Sequence, residues 1–149
     1  MLNNKKITVE VLVCVSLESA WDGFTNQDSV IKWNFASDDW CCPKAVSNLR
    51  KGGIFNYRME SKDGSMGFDF CGEYTEIKKG EIIKYELGDK REVEILFIAE
   101  NGGIRVIEIF DAENENSMEL QKNGWQAILN NYKKYVENRS NHESHGGTK

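Results

Sequence analysis

Two short turns constrain this chain more than any other feature. Asp63-Gly64 and Asn101-Gly102 are strong two-residue hairpin signals, and each sits between runs of alternating apolar residues. Pairing Lys62 with Ser65 sets Met59 opposite Phe68, Tyr57 opposite Phe70 and Phe55 opposite Gly72. It also brings Arg58 and Asp69 together on the other face as an opposite-charge pair. Pairing Glu100 with Gly103 sets Phe97 opposite Val106, Ala99 opposite Ile104, Val93 opposite Phe110 and Ile95 opposite Glu108. The predicted product is a long antiparallel sheet with one aromatic face, and that face carries a single carboxylate, Glu108.

The flanking segments supply what covers such a face. Residues 6 to 15 alternate as a strand, and Ser16 then caps a short helix with Leu17, Ala20, Trp21 and Phe24 at helical spacing. A second short helix follows Asn26 and turns Val30, Ile31 and Trp33 inward. Residues 34 to 44 read as irregular and aromatic, and a weak strand at 45 to 50 leads to Gly52-Gly53. Further strands are predicted at about 54 to 60, 67 to 77, 81 to 87, 91 to 99 and 103 to 110. The chain then forms a long helix over 117 to 137, capped by Asn116 with Glu119. Its apolar stripe is Trp125, Ile128, Leu129, Tyr132, Tyr135 and Val136, and it reaches back to Gln121 and Met118. Gly124 interrupts that helix at a cost of about 1 kcal/mol against alanine, which argues for a group approaching the helix closely, with a cavity or an aromatic side chain as the neighbour. Residues 1 to 137 are predicted to form one domain, and residues 138 to 149 read as a disordered polar tail. The class is α+β: a curved seven-stranded antiparallel sheet wrapped around a long C-terminal helix, with two short helices between the first and second strands.

Composition excludes several functions. With 149 residues, a net charge of -5 and scattered lysines, the chain has no basic face for nucleic acid. Lys5-Lys6 is followed by the alternating Ile7-Thr8-Val9-Glu10-Val11, which reads as a strand and not a signal peptide. No stretch is long and apolar enough to span a membrane, so no membrane partner and a cytoplasmic location are expected. Cys14, Cys41, Cys42 and Cys71 are read as packing thiols. A metal reading of Cys41-Cys42 with Asp38 and Asp39 lacks zinc-type spacing, and the histidines, His142 and His145, lie in the polar tail. No Ser-His or Cys-His pair is available, and Gly52-Gly53 opens a strand and not a phosphate-binding helix. No metal, cofactor or catalytic residue is therefore assigned, and binding, with or without weak catalysis, is expected.

The element order resembles the helix-grip fold of the START-like superfamily, also called SRPBCC or Bet v 1-like. Within it, the chain is similar to the bacterial family related to the activator of heat-shock protein 90 ATPase. The matching residues are Ala20-Trp21, Thr25-Asn26-Gln27 and Trp33; Arg50-Lys51-Gly52-Gly53-Ile54-Phe55; Gly72-Glu73-Tyr74-Thr75-Glu76-Ile77; Gly102-Gly103-Ile104-Arg105-Val106; and Gly124-Trp125. The resemblance covers residues 7 to 137. The chain departs from that pattern at Glu108, where the family usually carries an apolar residue, and in the Cys41-Cys42-Pro43 loop.

The resemblance implies a cavity between the sheet and the last helix that takes a small hydrophobic or aromatic ligand. The strands are expected to line it with Phe55, Tyr57, Phe68, Phe70, Tyr85, Phe97, Val106 and Glu108. The last helix is expected to contribute Gln121, Trp125 and Leu129, with Trp33, Phe35 and Trp40 near the mouth. Glu108 is read either as a rim carboxylate reaching water or as the polar anchor of the ligand, with Tyr57, Tyr85 or Gln121 as its expected partners. The alternative function is a protein-interaction module of the chaperone-activator type. For that reading the second hairpin supplies an outer apolar patch of Leu96, Ile98, Ile107 and Ile109, equally suited to a homodimer.

Overall fold

The computed structural model describes the backbone of residues 5–147 and the side chains of residues 5–139. The chain opens with strand β1 (Lys6–Val13) and two short helices, α1 (Leu17–Thr25) and α2 (Gln27–Trp33). Six strands follow: β2 (Trp40–Ser47), β3 (Ile54–Ser61), β4 (Gly67–Lys78), β5 (Ile82–Leu87), β6 (Glu92–Glu100) and β7 (Gly103–Asp111). Helix α3 (Met118–Gly147) closes the fold. The strands form one sheet in the order β1-β7-β6-β5-β4-β3-β2, antiparallel throughout. The two short helices carry the chain from one sheet edge, β1, to the other, β2. This is the helix-grip arrangement.

Both hairpin registers are those the turns predict. Phe55 faces Gly72, Tyr57 faces Phe70 and Met59 faces Phe68; Ile95 faces Glu108 and Phe97 faces Val106. The first turn is wider than two residues, however. Ser61 donates its N–H to Met66 O (2.9 Å) and Gly64 donates to Ser61 O (3.0 Å), with Gly64 at φ +78°. The Asp63 carboxylate widens the tip by accepting from Ser61 Oγ, Ser65 N and Ser65 Oγ at 2.6–2.9 Å. The register survives because Lys62 and Ser65 remain opposite each other within the loop.

Three other local expectations are corrected. The second strand starts at Trp40, not 45, because Pro43 is accommodated in a register shift between Cys41 and Lys44 on an edge strand. The cap of α3 is Ser117, whose Oγ accepts from Leu120 N at 3.0 Å; Asn116 instead donates to the Glu113 carboxylate. The α3 backbone also continues past the expected end at 137 to Gly147, and Arg139 holds that extension down. Its guanidinium reaches Asp22 (3.2 Å), Ser29 Oγ (3.0 Å) and Ser19 O (3.2 Å). Residues 148 and 149 lie outside the described residues.

The concave face buries Val9 and Val13 of β1, Val106 and Phe110 of β7, Ile95 of β6 and Phe55 of β3. Helix α3 seats on it through Leu129, Tyr132 and Val136, all fully buried. Helices α1 and α2 fill one end, where Phe24 and Trp33 meet the Tyr132 ring edge-on at 5.2 and 5.3 Å. Gly23 permits this junction. A Cβ there would lie 2.3 Å from Val136 Cγ1, and the Gly23 carbonyl accepts from Trp33 Nε1 at 2.9 Å. Gly23→Ala gains about 1 kcal/mol of helix propensity yet forces a methyl into a stiff buried valine. A net loss of about 1–3 kcal/mol is expected from denaturant unfolding; unchanged or increased stability would contradict this packing.

Candidate ligand-binding cavity

The helices do not cover the whole concave face. From α3 the half-buried Trp125 and Ile128 face the uncovered part, where a cavity of about 270 Å³ remains. Aromatic contacts build its walls. Trp125 stacks flat on Phe110, with centroids 3.8 Å apart and planes at 11°. Phe70 meets Trp125 edge-on at 6.1 Å, and Tyr85 meets Phe55 edge-on at 4.7 Å. Gly72 lets the Phe55 ring lie over β4, since a Cβ there would sit 2.9 Å from that ring and 2.7 Å from Glu86 O.

Of the residues expected to line the cavity, Trp33, Phe55, Tyr57, Phe68, Phe70, Tyr85, Glu108 and Trp125 do so. Phe97, Val106 and Leu129 have the expected face but lie outside the cavity wall: Phe97 is packed against Trp21 at 5.0 Å, and Val106 and Leu129 are sealed in the core. Gln121 is turned away. Its amide accepts from Glu113 N (2.8 Å) and donates to the carbonyls of Glu113 and Asn116, tying down the loop before α3. Trp40 lies against Phe68 at 6.0 Å, outside the wall, and Phe35 lines a separate groove with Lys32 and Asn131. The wall also contains residues that the sequence reading did not assign to the cavity: Phe24, Thr25, Asn34, Met59, Tyr74, Ile83, Arg91, Ile95 and Ile128. Ile83 and Ile95 were findable, because they share the alternation of Tyr85 and face Glu108's neighbourhood. Arg91, Asn34 and Thr25 come from loops and a helix end, where no periodicity marks them.

Of the two neighbours expected at Gly124, no aromatic side chain is present: apart from its own helix backbone and chain neighbours, nothing lies within 4 Å of the position its Cβ would take. It borders an open groove that shares Arg91, Trp125 and Ile128 with the cavity, and this groove forms a mouth on the α3 side. Phe68, half exposed while lining the cavity, marks a second opening at the β3–β4 end.

Polar chemistry in the cavity is sparse. Tyr57 and Tyr74 are paired with each other, and the Tyr74 hydroxyl lies 2.8 Å from Ser47 Oγ. Burial, reinforced by the Tyr74 neighbour, keeps the Tyr57 phenol protonated well above its ordinary range. Glu108 stands mid-sheet on β7, between Val9 of β1 and Ile95 of β6, and is 8% exposed. None of its expected partners reaches it, and it makes no hydrogen bond or ion pair with any described residue. Burial alone pushes its carboxyl from 4.5 to about 8.

On the convex face, Leu96 sits opposite Ile107 as the second turn predicts, and Ile82 extends the row across β5. Only Ile98 of the predicted patch is exposed (42%); Leu96, Ile107 and Ile109 are half-buried. Ion pairs flank the strip: Lys84 with Glu76 and Glu94, and Arg105 with Glu10 and Glu100.

The raised Glu108 carboxyl fixes a pH dependence. The unfolded chain releases this proton near pH 4.5 while the folded chain keeps it to about pH 8. The folded state therefore binds more protons across that window, and stability present below pH 4.5 is lost as the pH rises towards 8. Glu108→Gln should remove the loss. Its stability relative to the parent should rise by on the order of 1–4 kcal/mol between pH 4.5 and 8, measured by paired urea unfolding curves. A difference that stays flat with pH would show that the carboxyl ionises freely.

Comparisons with known proteins agree with this architecture. The family model described as Activator of Hsp90 ATPase homolog 1-like protein matches residues 15–137. No curated protein matches the chain. Among solved structures, the AHSA1-like protein from Aeromonas hydrophila is 38% identical with a TM-score of 0.86, covering 91% of this chain and 94% of that one. A protein from Cytophaga hutchinsonii is 44% identical with a TM-score of 0.78, covering 92% of this chain and 95% of that one. A Chromobacterium violaceum protein at 20% identity and a TM-score of 0.80 shares the fold, covering 89% and 98%. The chain belongs to the activator of Hsp90 ATPase homolog 1-like family, within the START-like (SRPBCC) superfamily.

Proposed function

We propose that this protein binds a small hydrophobic or aromatic molecule in the cavity between the sheet and the N-terminal half of α3. The observation that carries the reading is a space of about 270 Å³, walled by aromatic rings, around a buried carboxyl that no described residue satisfies. Aromatic side chains that merely fill a core leave no such space, and interiors are otherwise packed to crystal-like density. Mostly apolar walls with few converging polar groups are the ordinary make-up of a small-molecule site. An engineered cavity of about 150 Å³ takes benzene, so this one has room for a ligand of two fused rings. Entry runs past Gly124, where the α3 surface is open.

The interaction-module reading draws less support. Its apolar strip is narrow, mostly half-buried and bounded on both sides by ion pairs. A stable protein interface needs roughly 800 Å² per partner with an uncharged centre.

A neutral bicyclic probe, 2-naphthol, tests the ligand reading by two-dimensional NMR titration. Amide shifts are expected to concentrate at Phe70, Tyr85, Glu108 and Trp125. Ile128→Trp, which fills the mouth from the half-buried face of α3, should weaken the probe by at least about tenfold, or 1.4 kcal/mol. Shifts confined to Leu96, Ile98 and Ile107, or no saturable shifts, would count against the cavity as the site.

A further inference from the structure

The nature of the ligand can be narrowed on the assumption that the cavity is the binding site. Glu108 is the only acidic residue lining it among the described residues, and it is more than nine-tenths buried. No described residue offers it a hydrogen bond or an ion pair. The groups facing it are few. From its flanking strands come the apolar Val9 and Ile95. From β5 comes Tyr85, and from α3 comes Tyr132, whose hydroxyl is already committed to Ala20 O at 2.6 Å. Arg91, the only basic lining residue, does not pair with it. Its Nε holds Asp89 Oδ2 at 2.7 Å, its charge acts on the Tyr85 phenol, and it also borders the outer groove. A partner for Glu108 has to arrive with whatever enters the cavity.

We propose that the cavity selects a small aryl-alkyl amine in its ammonium form, with the ammonium on Glu108 and the ring system among Phe70, Tyr85 and Trp125. An ammonium supplies donors and no acceptor, which is what an unpaired carboxylate lacks. The surrounding rings favour the same charge, because the face of an aromatic ring is negative and attracts a desolvated cation. A neutral alcohol of equal shape can satisfy the carboxyl with one hydrogen bond but gains nothing from those faces and does not stabilise the ionised form.

The proposal carries a proton signature. Free Glu108 keeps its proton at neutral pH, because burial raises its carboxyl to about 8. Entry of the ammonium favours the carboxylate, so the carboxyl O–H proton leaves to solvent and the ammonium keeps its own. Neither Tyr85 nor Tyr132 can take that proton's place in the balance, since burial holds both phenols protonated far above neutral pH.

Isothermal titration calorimetry at pH 7, in buffers of different ionisation heat, measures this on the intact chain. The probes are naphthalen-2-ylmethanamine and the isosteric naphthalen-2-ylmethanol. The amine is expected to bind at least about tenfold more tightly, with release of close to one proton per site. The alcohol should release none. Glu108→Gln should abolish both the preference and the proton release while keeping alcohol binding, which also verifies that the variant is folded. Equal affinities, amine binding without proton release in the parent, or an unchanged preference in Glu108→Gln would overturn the amine assignment and leave ligand binding standing. Failure of both probes to bind the parent would overturn both.

Discussion

Tyr132 is the contact on which the rest of the molecule depends. It is fully buried, its hydroxyl donates to the Ala20 carbonyl at 2.6 Å, and its ring takes Phe24 and Trp33 on edge. One side chain of α3 thereby locks both short helices against the sheet. Around it Leu129 and Val136 are sealed, Gly23 brings α1 into contact with α3, and Arg139 ties the far end to Asp22 and Ser29. The earlier turns of α3 meet the sheet through Trp125, stacked on Phe110, and Gln126, which donates to Glu10 O at 3.1 Å, and they leave the cavity unfilled. The cavity is the space left between these turns of α3 and the concave face of the sheet.

That space is walled mainly by β3, β4, β5 and β6, and Glu108 is the one described residue of β7 in its wall. The position is central in the sheet, between Val9 and Ile95, so the carboxyl cannot swing out to bulk water as it would from an edge strand. An apolar residue there would extend the packing of Val106 and Phe110. A carboxyl instead costs folding stability above its ordinary titration range, by desolvation that no hydrogen bond offsets. Polar groups retained at such a cost are characteristic of sites that act on something else. The phenols of Tyr57 and Tyr74, by contrast, satisfy each other and Ser47, and belong to the scaffold.

The sheet was legible because two independent signals agree on it. Glycines that supply the turns, and large residues whose alternation has a single consistent phase, together specify face and pairing for β3, β4, β6 and β7. The same alternation placed Phe97 and Val106 on the inner face, and the helical stripe placed Leu129 there, but facing inward does not tell whether a side chain meets packed neighbours or an empty space. That depends on where α3 grips, which is set by Tyr132 and Gly23 and not by any periodicity. Gln121 followed the helical stripe, yet its amide is drawn to the loop carbonyls of Glu113 and Asn116, a local competition invisible to spacing. Pro43 suggested irregular chain where an edge strand absorbs it in a bulge, and Gly124, read as facing a cavity or an aromatic side chain, borders an open groove. Arg91 carries no sequence mark at all; it enters the wall because the β5–β6 turn folds it back with Asp89.

The central claim is that this cavity holds a small molecule. Native mass spectrometry of protein purified gently from its own source organism tests it most directly. The account predicts a fraction of the chain carrying one bound small molecule, released on mild activation and absent from the Ile128→Trp variant prepared the same way. A small-molecule adduct equally abundant in that variant, or a chain that travels bare but bound to a second protein, would contradict it.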